Sequence, residues 1–110
     1  MTLEIDIENA ACDRILRELG IINLKIKPAG KNGWPDRLFL LPAKRVIFIE
    51  FKRPGEVPEP LQAGIHRRIK HHGHEVQTHD TVQGAFDAVK AAKLEAACVP
   101  KTRNKVLTRK

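Results

Sequence analysis

Hydrophobic positions recur at a helical period in three segments of the chain. Apolar residues fall every three or four positions over residues 7–19, 61–69 and 82–93, as they do in a helix that buries one face. Gly20 follows the first segment and Gly73 follows the second, and glycine commonly terminates helices. The pattern therefore predicts three amphipathic helices.

Four shorter segments have the pattern of β-strands. They are residues 21–27, 37–41, 46–51 and 75–79. The second and third segments are apolar at successive positions, which predicts strands covered on both faces, and the short polar link between them predicts a hairpin. The element order is αβββαβα, and we expect an α/β fold in which a central mixed sheet is flanked by helices.

The length and composition of the chain are those of one compact domain. The protein has 110 residues, of which 42% are hydrophobic and 30% charged, and this balance is typical of globular proteins. The apolar period ends near Leu94, and basic residues dominate after it. We therefore expect a folded domain over residues 1–94 and a mobile basic tail over residues 95–110, which either clamps a partner or only adds solubility.

The charge and the cysteine content narrow the class of protein. The net charge of +7 favours a polyanionic partner such as nucleic acid, although basic proteins also use charge for solubility alone. The apolar runs are too short to cross a bilayer, and Cys12 and Cys98 have no metal-ligand spacing. We expect no membrane association, and two free thiols in a reducing cytoplasm.

The predicted hairpin brings three charged residues together. If the chain turns at Ala43 and Lys44, paired residues have numbers that sum to about 86 or 87, so Asp36 lies beside Glu50. Lys52 projects from the same face as Glu50, because side chains alternate along a strand. The end of this hairpin should therefore carry two carboxylates and an ammonium group.

Two neighbouring carboxylates raise each other's pKa unless a cation lies between them, and carboxylate oxygens favour Mg²⁺ or Mn²⁺. Lys52 would orient a water that the metal activates, which suits phosphodiester hydrolysis. The alternative is that Asp36, Glu50 and Lys52 only mark strand ends at the surface. Pro35, which restricts the backbone before Asp36, and the loop over residues 30–33 favour a site.

Three short motifs in the predicted order resemble the VRR-NUC family of the PD-(D/E)XK nucleases. They are Gly33-Trp34-Pro35-Asp36, Glu50-Phe51-Lys52-Arg53-Pro54-Gly55, and Gln62. The resemblance spans about residues 8–89 and implies a restriction-endonuclease-like αβββαβ core. Trp34 replaces a smaller aliphatic residue of the usual pattern, and Arg37 directly after Asp36 is also unusual, which affects substrate preference more than activity.

The resemblance also implies roles for individual residues. Asp36 and Glu50 would bind Mg²⁺ or Mn²⁺ together with the Phe51 backbone carbonyl, Lys52 would serve the nucleophilic water, and Gln62 would line the site. Glu8 on the first helix would complete the metal ligands. The alternative for Glu8 is that a glutamate is favoured in the first turn of a helix by the helix dipole.

The substrate and partner expected from this resemblance are branched DNA and a second copy of the chain. Stand-alone members, often phage-encoded, are similar to Holliday junction resolvases and act as homodimers in DNA repair and recombination. We therefore expect a homodimeric endonuclease in the cytoplasm of a bacterial or phage-infected cell. The alternatives are an inactive DNA-binding accessory protein, or an interaction module without affinity for DNA.

The expected DNA-binding residues flank the proposed site. They are Lys31, Asn32, Trp34, Arg53, Arg67, Arg68 and Lys70. Trp34 either stacks on a splayed base or anchors its loop by packing, with packing preferred. The histidines at 66, 71, 72 and 74 are expected to form a solvated, basic helix end rather than a zinc site, because no cysteine accompanies them.

Overall fold

The computed structural model describes residues 3–26 and 32–98. Two predicted features lie partly outside the described residues. They are the loop over residues 30–33, of which residue 30 and Lys31 are not described, and the predicted tail, of which residues 99–110 are not described. The elements are α1 (Glu4–Arg14), β1 (Asn23–Lys25), β2 (Arg37–Leu40), β3 (Val46–Phe51), α2 (Pro60–His71), β4 (Glu75–His79) and α3 (Val82–Ala97). The predicted order and the α/β class are confirmed.

Two predicted helix boundaries are wrong. The first helix begins at Glu4 rather than at residue 7, and it continues as a π-helical turn over Ile15–Leu19. Glu8 therefore lies in the second turn, so the first-turn alternative for this residue does not hold. The third helix continues to Ala97, beyond the predicted end at residue 93, because Ala96 is still buried against the core.

The sheet has the order β1-β2-β3-β4, with antiparallel pairing of the first three strands and parallel pairing of β3 with β4. Arg37 pairs with Ile49 and Leu40 pairs with Val46, so the predicted hairpin register is confirmed. Ala43 and Lys44 have φ angles of 59° and 62°, as in a type I′ turn, whose twist matches that of the two strands.

The two faces of the sheet are covered to different extents. Helices α1 and α3 pack on one face over a continuous core that includes Phe39, Ile47 and Ile49, all fully buried. Helix α2 lies on the other face, over β3 and β4. On that face Leu24 and Leu40 remain 52% and 42% exposed. The expectation that helices cover both faces of the hairpin is therefore wrong at its outer end.

Within the described ranges, no helix combines the length and apolar character needed to cross a membrane. Cys12 and Cys98 are free thiols, as predicted, and Cys12 is buried whereas Cys98 is exposed.

Candidate active site

Asp36 and Glu50 meet at one edge of the sheet, as the hairpin register predicts. Glu50 lies near the end of β3 and is only 2% exposed. Asp36 immediately precedes β2, and its Oδ2 accepts a 2.7 Å hydrogen bond from the backbone N–H of Phe51. This bond ties Asp36 to the end of the neighbouring strand. The pair of acidic side chains is therefore held in place by backbone geometry.

The surroundings of these two carboxyl groups disfavour their charged forms. Burial raises the pKa of Glu50 to about 8; the charge of Asp36 raises this pKa further, and Lys52 opposes the change. Burial also raises the pKa of Asp36, while the hydrogen bond from Phe51 lowers it. A cation between the two groups would remove this penalty, because it favours the ionised form of both.

Lys52 and Gln62 both reach Glu50 on the α2 side of the sheet. The Lys52 ammonium lies 3.8 Å from Glu50 Oε2 and is buried. Gln62 Nε2 donates to the same oxygen at 2.9 Å, and Gln62 Oε1 accepts from the backbone N–H of Glu59 at 3.0 Å. Because only one orientation of the amide satisfies both neighbours, Gln62 is locked onto the acidic pair by the start of α2.

The second oxygen of Glu50 is the clearest indication of a cation site. Glu50 Oε1 is buried and has no hydrogen-bond partner among the described residues. Within residues 3–26 and 32–98, no three His, Cys, Asp or Glu side chains form a complete cation site. Two carboxylates nevertheless fit Mg²⁺, which is commonly held by one or two carboxylates together with waters and substrate phosphates.

Glu8 lies beside this pair but is already neutralised. Its Oε2 accepts from Arg37 Nε at 2.6 Å and from Lys25 Nζ at 2.9 Å, and Arg37 also bonds to Asn23. These contacts lie on the α1 side of the sheet, because Arg37 pairs with the core residue Ile49. These contacts account for the unusual arginine directly after Asp36, because Arg37 forms the ion pair with Glu8.

Glu4 is a candidate that the sequence prediction missed. It lies one helical turn before Glu8, and its charge raises the pKa of both Asp36 and Glu50. Among the described residues Glu4 forms no ion pair, in contrast to Glu8. The sequence does contain two glutamates four residues apart, which would lie on one face of a helix. The predicted helix, however, begins after Glu4.

The prediction that His66 belongs to a solvated, basic helix end is wrong. Its side chain is buried, Nε2 has no hydrogen-bond partner in the described part of the chain, and it follows Gln62 by one turn of α2. Burial lowers its pKa, and the charges of Lys70 and Lys52 lower it further. His66 is therefore a buried residue of α2 whose charged form is disfavoured by its surroundings.

The remaining DNA-binding candidates surround α2 and the end of β3. Arg67, Arg68 and Lys70 are exposed on α2, and Arg53 is exposed directly after Lys52. Asn32 is exposed and Trp34 is partly exposed, and both line a groove beside α2. Four cationic side chains are thus exposed to solvent on α2 and just beyond the end of β3.

Comparisons with known proteins agree with this geometry. No family model matches the chain. A phage protein described as "Putative nuclease p44", from Acyrthosiphon pisum secondary endosymbiont phage 1, is 44% identical over 61 residues. That match spans 56% of this chain and 66% of the phage protein, just under two thirds of its length.

A solved structure described as "VRR_NUC domain" superposes on the chain with a TM-score of 0.70 and 26% sequence identity. The superposition covers 82% of this chain and 97% of the solved one. The chain therefore has the fold of a VRR-NUC domain.

Proposed function

We propose that the protein is a divalent-metal-dependent DNA endonuclease that hydrolyses phosphodiester bonds at the edge of its sheet. The observation that carries this proposal is the pairing of Asp36 with the buried Glu50, which has a raised pKa and one oxygen without a partner among the described residues. The fold of the VRR_NUC domain and the nuclease description of the phage relative support the same activity.

Asp36 and Glu50 would hold Mg²⁺ or Mn²⁺ together with the backbone carbonyl of Phe51. Such an ion, when bound, lowers the pKa of a coordinated water and polarises a phosphoryl oxygen. Glu8 remains a proposed ligand through its other oxygen, because Oε2 is engaged by Arg37 and Lys25. Glu4, one helical turn before Glu8, is the alternative metal ligand from α1.

Lys52 and Gln62 act through their contacts with Glu50. The Lys52 ammonium, buried within 3.8 Å of the carboxylate, would orient the attacking water and offset negative charge that develops on the phosphate. Gln62 holds Glu50 Oε2 in place, which leaves Oε1 for the metal. The side chains are thus positioned before substrate binds, so little reorganisation is needed for reaction.

The proposed substrate is branched DNA such as a Holliday junction, and the proposed assembly is a homodimer. The net charge of +7 and the exposed Arg53, Arg67, Arg68 and Lys70 supply phosphate contacts without sequence readout. One chain carries one candidate site, whereas a four-way junction needs two nicks. We place this activity in recombination or repair of DNA, in the cytoplasm of a bacterial or phage-infected cell.

The test is cleavage of a labelled four-way junction and of a linear duplex of the same sequence, with Mg²⁺, with Mn²⁺ and with EDTA. We expect metal-dependent nicks in the junction and their loss in Lys52→Ala. Lys90→Ala, which removes an exposed lysine of α3, is the matched control and should cleave normally. Gel filtration with and without junction measures the assembly, and a strict monomer would reject only the homodimer.

The second candidate is an inactive DNA-binding accessory protein. The absence of a three-carboxylate cation site within the described ranges is the observation that favours it. Tight, salt-dependent junction binding without cleavage in either metal would establish this role and reject the nuclease.

A further inference from the structure

A groove of about 580 Å³ lies between α2 and the partly uncovered face of the sheet. It is lined by Asn32, Trp34, Phe48, Ile65, Arg68, Ile69, His72 and His74. Its volume falls in the range of small-molecule sites. The ring of Phe48 meets the ring of His74 edge to face, with centroids 6.2 Å apart. The proposed metal chemistry uses none of these side chains.

Gly33 holds Trp34 at this groove. A Cβ atom at Gly33 would lie 3.0 Å from Leu61 Cγ and 3.2 Å from Ile65 Cγ1, and the φ angle of Gly33 is 89°. The loop therefore rests directly on α2, where a larger residue would displace it. Since Trp34 stays partly exposed in an open groove, anchoring by packing does not account for all of its surface.

The groove adjoins the acidic pair. Trp34 precedes Asp36 by two residues, and Phe48 precedes Glu50 by two residues on the same face of β3. Two strand positions correspond to about 7 Å, so the groove and the carboxylates are within reach of one nucleotide. A phosphate near Glu50 would place the base of an adjacent nucleotide beside Trp34.

The groove presents aromatic and aliphatic walls, with the Arg68 guanidinium and the polar groups of Asn32 and His72 among its lining. Flat aromatic rings stack on indole and guanidinium groups, whereas a paired base is covered by its neighbours in the duplex. We propose that this groove binds an unpaired nucleobase next to the scissile phosphate, stacked on Trp34, with Arg68 on the adjoining phosphate. That this phosphate is the one cleaved rests on the proposed nuclease function.

This binding site would select DNA that contains unpaired nucleotides, as at flaps, at single-stranded gaps and at junctions whose branch point has opened. Sequence would matter little, because every base offers a stacking surface. The groove thus supplies a physical reason for structure selectivity that the metal site alone lacks.

Trp34 is the only tryptophan of the chain, so its intrinsic fluorescence reports on the groove directly. The probes are an eight-nucleotide oligo(dT), an abasic oligomer of equal length and charge, and a blunt duplex, all in EDTA to prevent cleavage. We expect oligo(dT) to quench Trp34 emission and to bind about tenfold more tightly than the abasic oligomer, the effect of one stacked base. Equal binding without quenching would overturn the proposal.

Fluorescence anisotropy of labelled oligo(dT) extends the test to variants. Trp34→Leu should lose the preference for oligo(dT) over the abasic oligomer, and Trp34→Phe should retain most of it, with thermal melting as the check on folding. An equal loss for both oligomers would show that Trp34 only anchors its loop. Quenching by oligo(dT) in a protein that cleaves no junction would reject the nuclease and leave the base-binding groove standing.

Discussion

Two buried glutamates lie on opposite faces of the same sheet, in different electrostatic surroundings. Glu8, on the α1 side, shares one oxygen between Arg37 and Lys25 at 2.6 and 2.9 Å. Glu50, on the α2 side, has the Gln62 amide at 2.9 Å and the Lys52 ammonium at 3.8 Å, and its other oxygen has no partner in the part of the chain that the structure describes. Burial raises the pKa of Glu50 to about 8.

The difference is between a carboxylate whose charge is compensated by cations of the chain and one whose charge is not. A buried carboxylate with two close cations is compensated within the chain, and removing it leaves those cations unpaired. A buried carboxylate with incomplete compensation favours a cation supplied from outside. The contacts of Glu8 Oε2 with Arg37 and Lys25 therefore stabilise the fold, whereas Glu50 Oε1, which has no partner among the described residues, is the oxygen that the proposed metal would bind.

The largest expected effect comes from the same isosteric change at the two positions. Glu50→Gln should lower junction cleavage by about a thousandfold or more, because it removes a metal ligand. Glu8→Gln should retain measurable cleavage in the fraction of protein that is folded. Single-turnover rates at saturating Mg²⁺ measure both. Equal losses of rate in two well-folded variants would place Glu8 among the metal ligands.

The next effect is on the stability of the fold. Here Glu8→Gln should be more damaging than Glu50→Gln, the reverse of their effects on cleavage. Glu8→Gln should lower the free energy of unfolding by about 3 kcal/mol, because Arg37 loses its charged partner in a buried setting. Urea denaturation of the metal-free protein measures this loss. The double variant Glu8→Gln with Arg37→Met should recover part of it, and no recovery would show that the ion pair is not the cause.

The pH dependence of stability should also distinguish the two faces. The folded-state pKa of Glu50, about 8, lies above its ordinary value of 4.5, so folding favours the protonated form. The stability contributed by this group is complete below about pH 4.5 and is lost as the pH rises toward 8.

Between pH 6 and pH 7, the metal-free protein should therefore lose up to about 1.4 kcal/mol relative to Glu50→Gln, in which this titration is absent. Urea denaturation of both proteins at the two pH values measures the difference. Parallel changes in the two proteins would mean that Glu50 does not titrate in this range.

The smallest expected effect concerns Gln62. Its neutral amide donates to Glu50, whereas Glu8 is contacted by cationic side chains. Gln62→Ala removes a hydrogen bond to a carboxylate, worth about 1.5–3 kcal/mol. We expect Mg²⁺ affinity to fall by about tenfold, since Glu50 becomes harder to ionise and less well oriented. Calorimetric Mg²⁺ titration checks this, with Gln83→Ala on α3 as control. Unchanged affinity would limit Gln62 to capping α2 through Glu59.

Much of the site follows from local pattern. A two-residue turn at Ala43 and Lys44 sets the hairpin register, and that register brings Asp36 to Glu50 and aligns Lys52 with it. Strand pairing across a tight turn depends on few residues, so counting positions is sufficient. The same local reasoning failed for Glu4, because the first helix begins before its apolar period does.

By itself, the sequence determined the element order, the hairpin register and the three charged residues at its end, because these depend on period and on short-range pairing. Only the tertiary structure decided that Arg37 and Lys25 neutralise Glu8, that His66 is buried and that a groove opens beside Trp34. Those outcomes depend on how helices dock against the sheet, and docking is set by contacts between residues far apart in the chain.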